Sequence, residues 1–369
     1  MNNFLSLVWY KVLPPVYGGQ KGIAHFNEYL GRKVKLTCLC SENNQPTEQL
    51  SYTIKNELPV SKWQFWNPFV RQKILSLLKT QSYTHVIIEH PYYGWVGKFK
   101  EQLNYKFVVH AHNIEHRRMR IRGKVFWRNV KSMEAQAFEL ADLILFKTDD
   151  DLNEAVTIFN CNRRKCMVVP FGISQTSAPI VPPQKKAAFR QRMGAAETET
   201  ILLFAASFDY EPNLAALEII SKEIIPRLRS YIDNFRIIIC GNISPRQKKE
   251  IITPREMIFT GEVNDIAEYY QAADLFINPV VSGSGVQTKN LEALANGLPI
   301  VVTSFSSKGL PSYLIEKGMS VVPNHDPDAF ARAIAGSLPG FSEIPTEFYE
   351  EYNWSNIIER FLNHPQVKG

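Results

Sequence analysis

Short apolar runs, each followed by an amphipathic stretch, recur from one end of this chain to the other, and nothing in it constrains the fold more. The first half holds HVIIEH (85–90), KFVVHAHN (106–113), ADLILFK (141–147) and KCMVVPFG (165–172). The second holds ILLFAASF (201–208), FRIIICG (235–241), MIFTG (257–261), DLFINP (274–279) and LPIVVT (298–303). Each is rich in β-branched or aromatic residues and nearly continuous in hydrophobicity, as strands buried on both faces are. Helical patterns such as NLAALEIISKEIIPRL (213–228) and VNDIAEYYQAA (263–273) separate them. Strand–helix alternation of this kind specifies α/β architecture with parallel sheets.

A chain of 369 residues exceeds one ordinary core and predicts two domains. The break falls in SQTSAPIVPPQKKAAF (174–189), where prolines and small residues interrupt both periodicities. The expected division is 1–175, 176–345 and a C-terminal helix, 346–369, packing back towards the N-terminal domain. With 45% hydrophobic and 21% charged residues the chain is globular rather than disordered. The opening MNNFLSLVWYKVLPP has an apolar run of seven residues and no basic start, so it reads as a first strand, not a leader or a span. Five cysteines at scattered positions form neither a disulfide framework nor a zinc pattern, which fits a reducing cytoplasm. Charge is uneven. Residues 1–175 carry 24 Lys and Arg against 14 Asp and Glu, leaving 18 against 22 for the rest. A basic first half suits an anionic partner.

The stretch SGSGVQTKNLEALANGLPIVVT (282–303) places a glycine loop between a strand and a helix expected over 286–296, with Gly297 ending it. In open α/β sheets ligands bind beyond the carboxyl ends of strands, where a helix N-terminus offers free N–H groups and partial positive charge. Gly283 and Gly285 permit close backbone approach, Lys289 adds a full charge, and Glu292 shares its face at i+3. Phosphates on Lys289 and ribose hydroxyls on Glu292 would satisfy the set. A tight turn with a surface Lys–Glu pair has the same spacing, and the loop alone does not separate the two.

GSGVQTKNLEALANGLPIVVTSFSSKGL (283–310) resembles the donor-binding segment of family 4 glycosyltransferases, the retaining enzymes of GT-B fold. PPVYGG (14–19) resembles their first glycine loop and VVHAHNIEHR (108–117) their His-Asn loop. VVPFGI (168–173), SFDYEPN (207–213), FTGEVNDIAEYYQAADLFINP (259–279) and EYNWSNIIERF (351–361) follow in the family's order. The resemblance implies two Rossmann-like doubly wound parallel-sheet domains facing each other across a cleft, with the acceptor on the first and a nucleotide-sugar donor on the second. It implies Gly18, Gly19, Glu262, Val263, Ser284, Gly285, Lys289 and Glu292 at the donor, and His112 and Lys289 in catalysis. Glu89, His90 and Asn113 fall on the acceptor side. Glu292 matches the second glutamate of the family's Glu-x7-Glu motif, while Ser284 replaces the first. SFDYEPN also lacks an Arg and a Lys that clamp the diphosphate in many relatives.

His110 and His112 alternate onto one side of their strand, His112 at its carboxyl end. KTDDDLNE (147–154) has an Asp-x-Asp spacing that elsewhere holds a metal, but Thr148 as N-cap with three acids in the first helical turn accounts for it. No metal or other cofactor is expected, the nucleotide-sugar being substrate. His116–Lys131 contains seven Lys and Arg and no acid, interleaved with Met119, Ile121, Val125, Phe126 and Trp127. That composition favours peripheral contact with an anionic membrane over nucleic acid, for which no reader motif is present. The expected function is sugar transfer, with retention, to a glycan or lipid-linked acceptor in cell-surface polysaccharide or glycolipid synthesis, in the cytoplasm or on the inner face of the membrane. A nucleotide-sugar epimerase and a non-catalytic binding module stay open as alternatives.

Overall fold

The computed structural model describes residues 2–196, 198–283, 285–315, 317–338 and 343–368. Two compact units emerge, Met1–Gly172 with Tyr352–Gly369, and Ile173–Glu351. These limits lie a few residues from the divisions expected at 175 and 345.

The first unit is built on seven parallel strands: β1 (Asn3–Val8), β2 (Lys35–Ser41), β3 (Thr53–Leu58), β4 (His85–Glu89), β5 (Lys106–Ala111), β6 (Leu143–Phe146) and β7 (Cys166–Val168). Their order is β3-β2-β1-β4-β5-β6-β7. Side chains alternate between two cores. Leu5, Leu7, Ile88, Phe107 and Val109 face one, beneath the helices Pro68–Thr80 and Trp127–Leu140. Phe4, Val8, Ile87 and Val108 face the other, with the helix Gly18–Gly31. The helix Trp354–Leu362 joins this second core through Trp354, Ile357, Ile358 and Phe361, so the far end of the chain completes the unit where it began.

β2 and β3 do not stand out in the sequence. β2 (KLTCLCS) is broken by polar residues, and β3 (TIKNEL) is an edge strand whose outer positions are exposed. Edge strands need no continuous apolar run, because one side meets water.

The second unit has six parallel strands: β8 (Thr200–Ala205), β9 (Phe235–Cys240), β10 (Met257–Gly261), β11 (Leu275–Asn278), β12 (Ile300–Thr303) and β13 (Met319–Val322). Their order is β10-β9-β8-β11-β12-β13. Numbered within the unit this is 3-2-1-4-5-6, the Rossmann order, and the first unit has the same order with one strand added. Each sheet therefore reverses direction once, between β1 and β4 and between β8 and β11. Those are the points where such sheets open a crevice for ligands.

Candidate active site

At the reversal point of the second unit, β11 leads through a loop into the helix Thr288–Ala295. The helix begins two residues later than expected, because Gln287 at its N-cap still has ψ 84°. Asn296 is the C-cap and Gly297 follows at φ 73°. Gly283 has φ 123°, and a Cβ there would lie 2.5 Å from the Tyr210 hydroxyl. The positive φ favours glycine there, and an added Cβ would also press on the Tyr210 hydroxyl. Ser284 lies outside the described residues. Asn290, fully buried, anchors the helix start: it accepts from Asn278 Nδ2 of β11 (2.9 Å) and donates to the Ser306 carbonyl beyond β12 (2.7 Å).

Lys289 is thereby aimed across the carboxyl end of β8. Its Nζ donates to Asn213 Oδ1 at 2.8 Å and lies 4.7 Å above the Phe204 ring. Asn213 sits on the helix Glu211–Ile219, which follows β8, and is held by a 2.8 Å bond to the Ser207 carbonyl. The lysine therefore bridges the two elements flanking the reversal. Burial lowers its ammonium to about 7. Glu292 accepts from Tyr270 Oη at 3.2 Å, and Tyr270 belongs to the helix Ile266–Ala272 that follows β10. Glu262 is exposed and Val263 half-buried in the loop before that helix, at the edge of the sheet. Lys289, Glu292 and Gly285 share one loop–helix segment, whereas Glu262 and Val263 approach from the edge strand.

At the reversal point of the first unit, Gly18 and Gly19 open the helix Gly18–Gly31. Neither has a positive φ, and a Cβ on Gly19 would meet nothing nearer than the Tyr10 hydroxyl at 4.0 Å. No internal packing demands glycine at position 19, so the space is open to a ligand.

β4 and β5 end in a buried cluster. Glu89, fully buried, lies between two histidines: His112 Nε2 is 2.5 Å from Oε2, and His110 Nδ1 is 3.0 Å from the same oxygen. The His110 and His112 ring centroids are 4.2 Å apart, and His90, at φ 69°, packs on His112 at 4.7 Å. Burial holds His110 and His112 well below the usual imidazole range. Asn113 is half-buried just beyond. Lys147, at the end of β6, is also buried, its Nζ 4.8 Å from the Phe171 ring centroid, and burial lowers it to about 7. His110 Nε2, His112 Nδ1 and Lys147 Nζ have no hydrogen-bond partner among the described residues.

Glu89, His110 and His112 are also the group of described residues whose ligand atoms lie close enough, within 4.8 Å, to hold a metal ion. Two ligands at ordinary zinc distances in a tetrahedral site are separated by roughly 3.3 Å. The 2.5 Å between Glu89 and His112 is a hydrogen bond instead.

Next to the cluster, Glu115 accepts from Tyr92 Oη (2.7 Å) and from Arg118 Nε (2.9 Å). Glu134 caps the helix Glu115–Ile121 by accepting the backbone N–H groups of Glu115 (2.5 Å) and His116 (3.0 Å). The Asp-x-Asp run behaves as a helix start, with Thr148 Oγ1 accepting from the Asp151 N–H at 3.0 Å. Lys147, Asn213 and Tyr270 escaped sequence reasoning. Lys147 reads as the polar end of a strand, and the other two act through contacts made between distant segments.

Two family models match the chain: Glycosyltransferase Family 4 over residues 16–176 and Glycosyl transferases group 1 over residues 199–338. The chain belongs to glycosyltransferase family 4. An uncharacterized glycosyltransferase of Methanocaldococcus jannaschii is 28% identical over 228 residues, 57% of this chain and 56% of that protein. A D-inositol 3-phosphate glycosyltransferase of Kribbella flavida is 28% identical over 255 residues, 62% of this chain and 57% of that protein. The chain thus spans about half the length of the curated relatives it matches. Among solved structures, sucrose-phosphate synthase from Thermosynechococcus elongatus aligns over 98% of this chain and 97% of its own, with TM-score 0.71 and 17% identity. Anabaena HepE in complex with UDP-glucose aligns over 99% and 96%, with TM-score 0.65 and 13% identity. These two place the fold among GT-B structures.

Proposed function

We propose that this family 4 chain transfers a sugar from a nucleotide-sugar to a glycan or lipid-linked acceptor, with retention and without a catalytic metal. The observation behind the proposal is Lys289, held by Asn213 at the reversal point of the second sheet and one residue inside a helix start. A diphosphate would meet the ammonium and the free N–H groups together, and Glu292 would accept from ribose hydroxyls. As the bond to the sugar breaks, negative charge grows on the leaving diphosphate. Lys289 would stabilise that charge, while the diphosphate oxygen takes the acceptor's proton. Gly18, Gly19 and His112 would serve the transferred sugar and the acceptor from the first unit, with Glu89, His90 and Asn113 on the acceptor side. Ser284 and the missing Arg/Lys pair leave Lys289 as the main charge on the diphosphate.

Peripheral membrane contact, on the cytoplasmic face, belongs to the same proposal. Val125 and Phe126 are 84% and 70% exposed in the turn of the basic stretch. Trp63 and Phe69 are 74% and 77% exposed in a second apolar protrusion, where Phe65 stacks on Tyr92 at 4.5 Å. Basic residues beside exposed aromatic rings suit an anionic lipid surface. No helix among the described residues is long and apolar enough to cross a membrane.

The test is thermal unfolding against UDP, GDP, ADP and CMP. A ligand at a hundred times its Kd adds about 2.7 kcal/mol, a readable shift in Tm. Stabilisation by one nucleotide, lost in Glu292→Gln, supports the donor site. Product analysis with donor alone and with acceptor then separates transfer from epimerisation. No stabilisation by any nucleotide would favour a non-catalytic binding module.

A further inference from the structure

The Glu89 cluster presents two neutral imidazoles to one buried carboxyl group, and this arrangement restricts where the protons reside. A carboxylate only accepts hydrogen bonds. Both nitrogens facing Glu89, Nδ1 of His110 and Nε2 of His112, must then carry hydrogen, so the opposite nitrogens are bare lone pairs. His110 Nε2 and His112 Nδ1 are indeed buried with no hydrogen-bond partner among the described residues. A buried acceptor without a donor destabilises the fold and is retained where a partner arrives later.

We infer that Glu89 is a positioning residue that sets opposite tautomers on its two histidines, Nδ1–H on His110 and Nε2–H on His112, so that His112 Nδ1 stands ready to accept from a substrate hydroxyl. Lys147 lies beside the same device: its buried Nζ has no hydrogen-bond partner among the described residues, and the Glu89 charge opposes the lowering of its ammonium by burial. His90, packed on the His112 ring, restricts the ring's rotation.

The tautomer assignment rests on the cluster's geometry with Glu89 as a carboxylate, whereas the role of the His112 lone pair rests on the sugar-transfer proposal. A site that only accepts at this point recognises a hydroxyl and discriminates against the corresponding deoxy sugar, because the lone pair would then remain buried and unpaired. Glu89 touches no substrate and acts through His112.

The experiment is long-range proton–nitrogen NMR on the full chain labelled at histidine nitrogen, at pH 7.5, with His110→Gln and His112→Gln used to assign the two signals. One ring in each tautomer is expected, His110 as Nδ1–H and His112 as Nε2–H. Both rings in the Nε2–H form, or either ring doubly protonated, overturns the inference. So does a pattern that changes on adding EDTA, which would mean a bound cation organises the cluster. In Glu89→Gln the amide offers one acceptor and one donor, so one ring must change tautomer. If that ring is His112, kcat should fall roughly 10²–10⁴-fold while nucleotide affinity is unchanged. Should Glu89→Gln fail to fold, the wild-type spectrum alone still decides the tautomers. Loss of nucleotide binding in Lys289→Met, by contrast, tests the donor site and leaves these spectra unmoved, so the two accounts fail separately.

Discussion

The two sheets share strand order and reversal point but fill that point with opposite chemistry. In the second unit one lysine spans the gap, tied to a neutral amide and set over an aromatic ring. In the first, a glutamate, three histidines and a lysine are buried together, and His110 Nε2, His112 Nδ1 and Lys147 Nζ have no hydrogen-bond partner among the described residues. Topology decides where a ligand can approach, and the residues at that point decide what it must be. A single cation beside a helix start suits an anion. A cluster of oriented neutral imidazoles suits hydroxyl groups.

The sharpest way to break this contrast is to delete Glu89. Glu89→Ala removes the acceptor of two buried imidazole N–H groups. At about 1–3 kcal/mol for each donor left unsatisfied, it should cost about 2–6 kcal/mol in denaturant unfolding of the first unit without altering nucleotide affinity. A loss below about 1 kcal/mol would mean that water already reaches the cluster.

Lys289→Met should do the reverse, weakening nucleotide binding by about 1.5–3 kcal/mol, some 10- to 150-fold, since a charge-assisted bond is removed. Calorimetric titration reads it. Stability should hold or rise, because burying the ammonium disfavours the folded state: between about 7 and its usual range the unfolded chain holds the extra proton, so this lysine's contribution to stability grows as pH rises through that window.

Glycines provide a third comparison. Gly283→Ala should destabilise by about 1–3 kcal/mol through its positive φ and the Tyr210 contact, with partial relief in Tyr210→Phe. Gly19→Ala should change stability by less than about 1 kcal/mol and act only on ligand affinity. Equal losses of stability would remove the distinction between a structural and an open glycine.

A pH series sharpens the donor side. Lys289 at about 7 must take up a proton to pair with a diphosphate, so nucleotide affinity should fall as pH rises above 7, by up to tenfold per unit. In Lys289→Met the profile above 7 should be flat. A wild-type profile equally flat would mean the lysine is charged throughout or does not meet the phosphates.

The smallest effect on folding is expected at the exposed rings. Trp63→Ser and Phe126→Ser should each change stability by less than about 0.5 kcal/mol, yet together reduce sedimentation with vesicles rich in anionic lipid. Unchanged sedimentation would remove the membrane proposal and leave both sheets as described.

What the sequence showed was mostly local. Glycines, Lys289 and Glu292 lie within ten residues, and the alternation of His110 and His112 follows from strand periodicity, so both reversal points were visible as candidates. Closing contacts were not. Asn213 meets Lys289 from 76 positions away, Tyr270 meets Glu292 from 22, and Glu89 joins His112 from 23. Pairings of this kind depend on which strands become neighbours, and strand order leaves no mark on local composition. Lys147 is the clearest case: a polar residue ending a strand normally reaches water, and only the packing of Phe171 over it reveals burial.

The central claim, that a nucleotide-sugar binds at Lys289, is met most directly by one set of calorimetric titrations with the four nucleotides on wild type, Lys289→Met and Glu89→Gln. Binding of one nucleotide to wild type and Glu89→Gln, at least tenfold weaker in Lys289→Met, is the predicted result. Binding that survives in Lys289→Met and disappears in Glu89→Gln would contradict it and move the nucleotide to the first sheet.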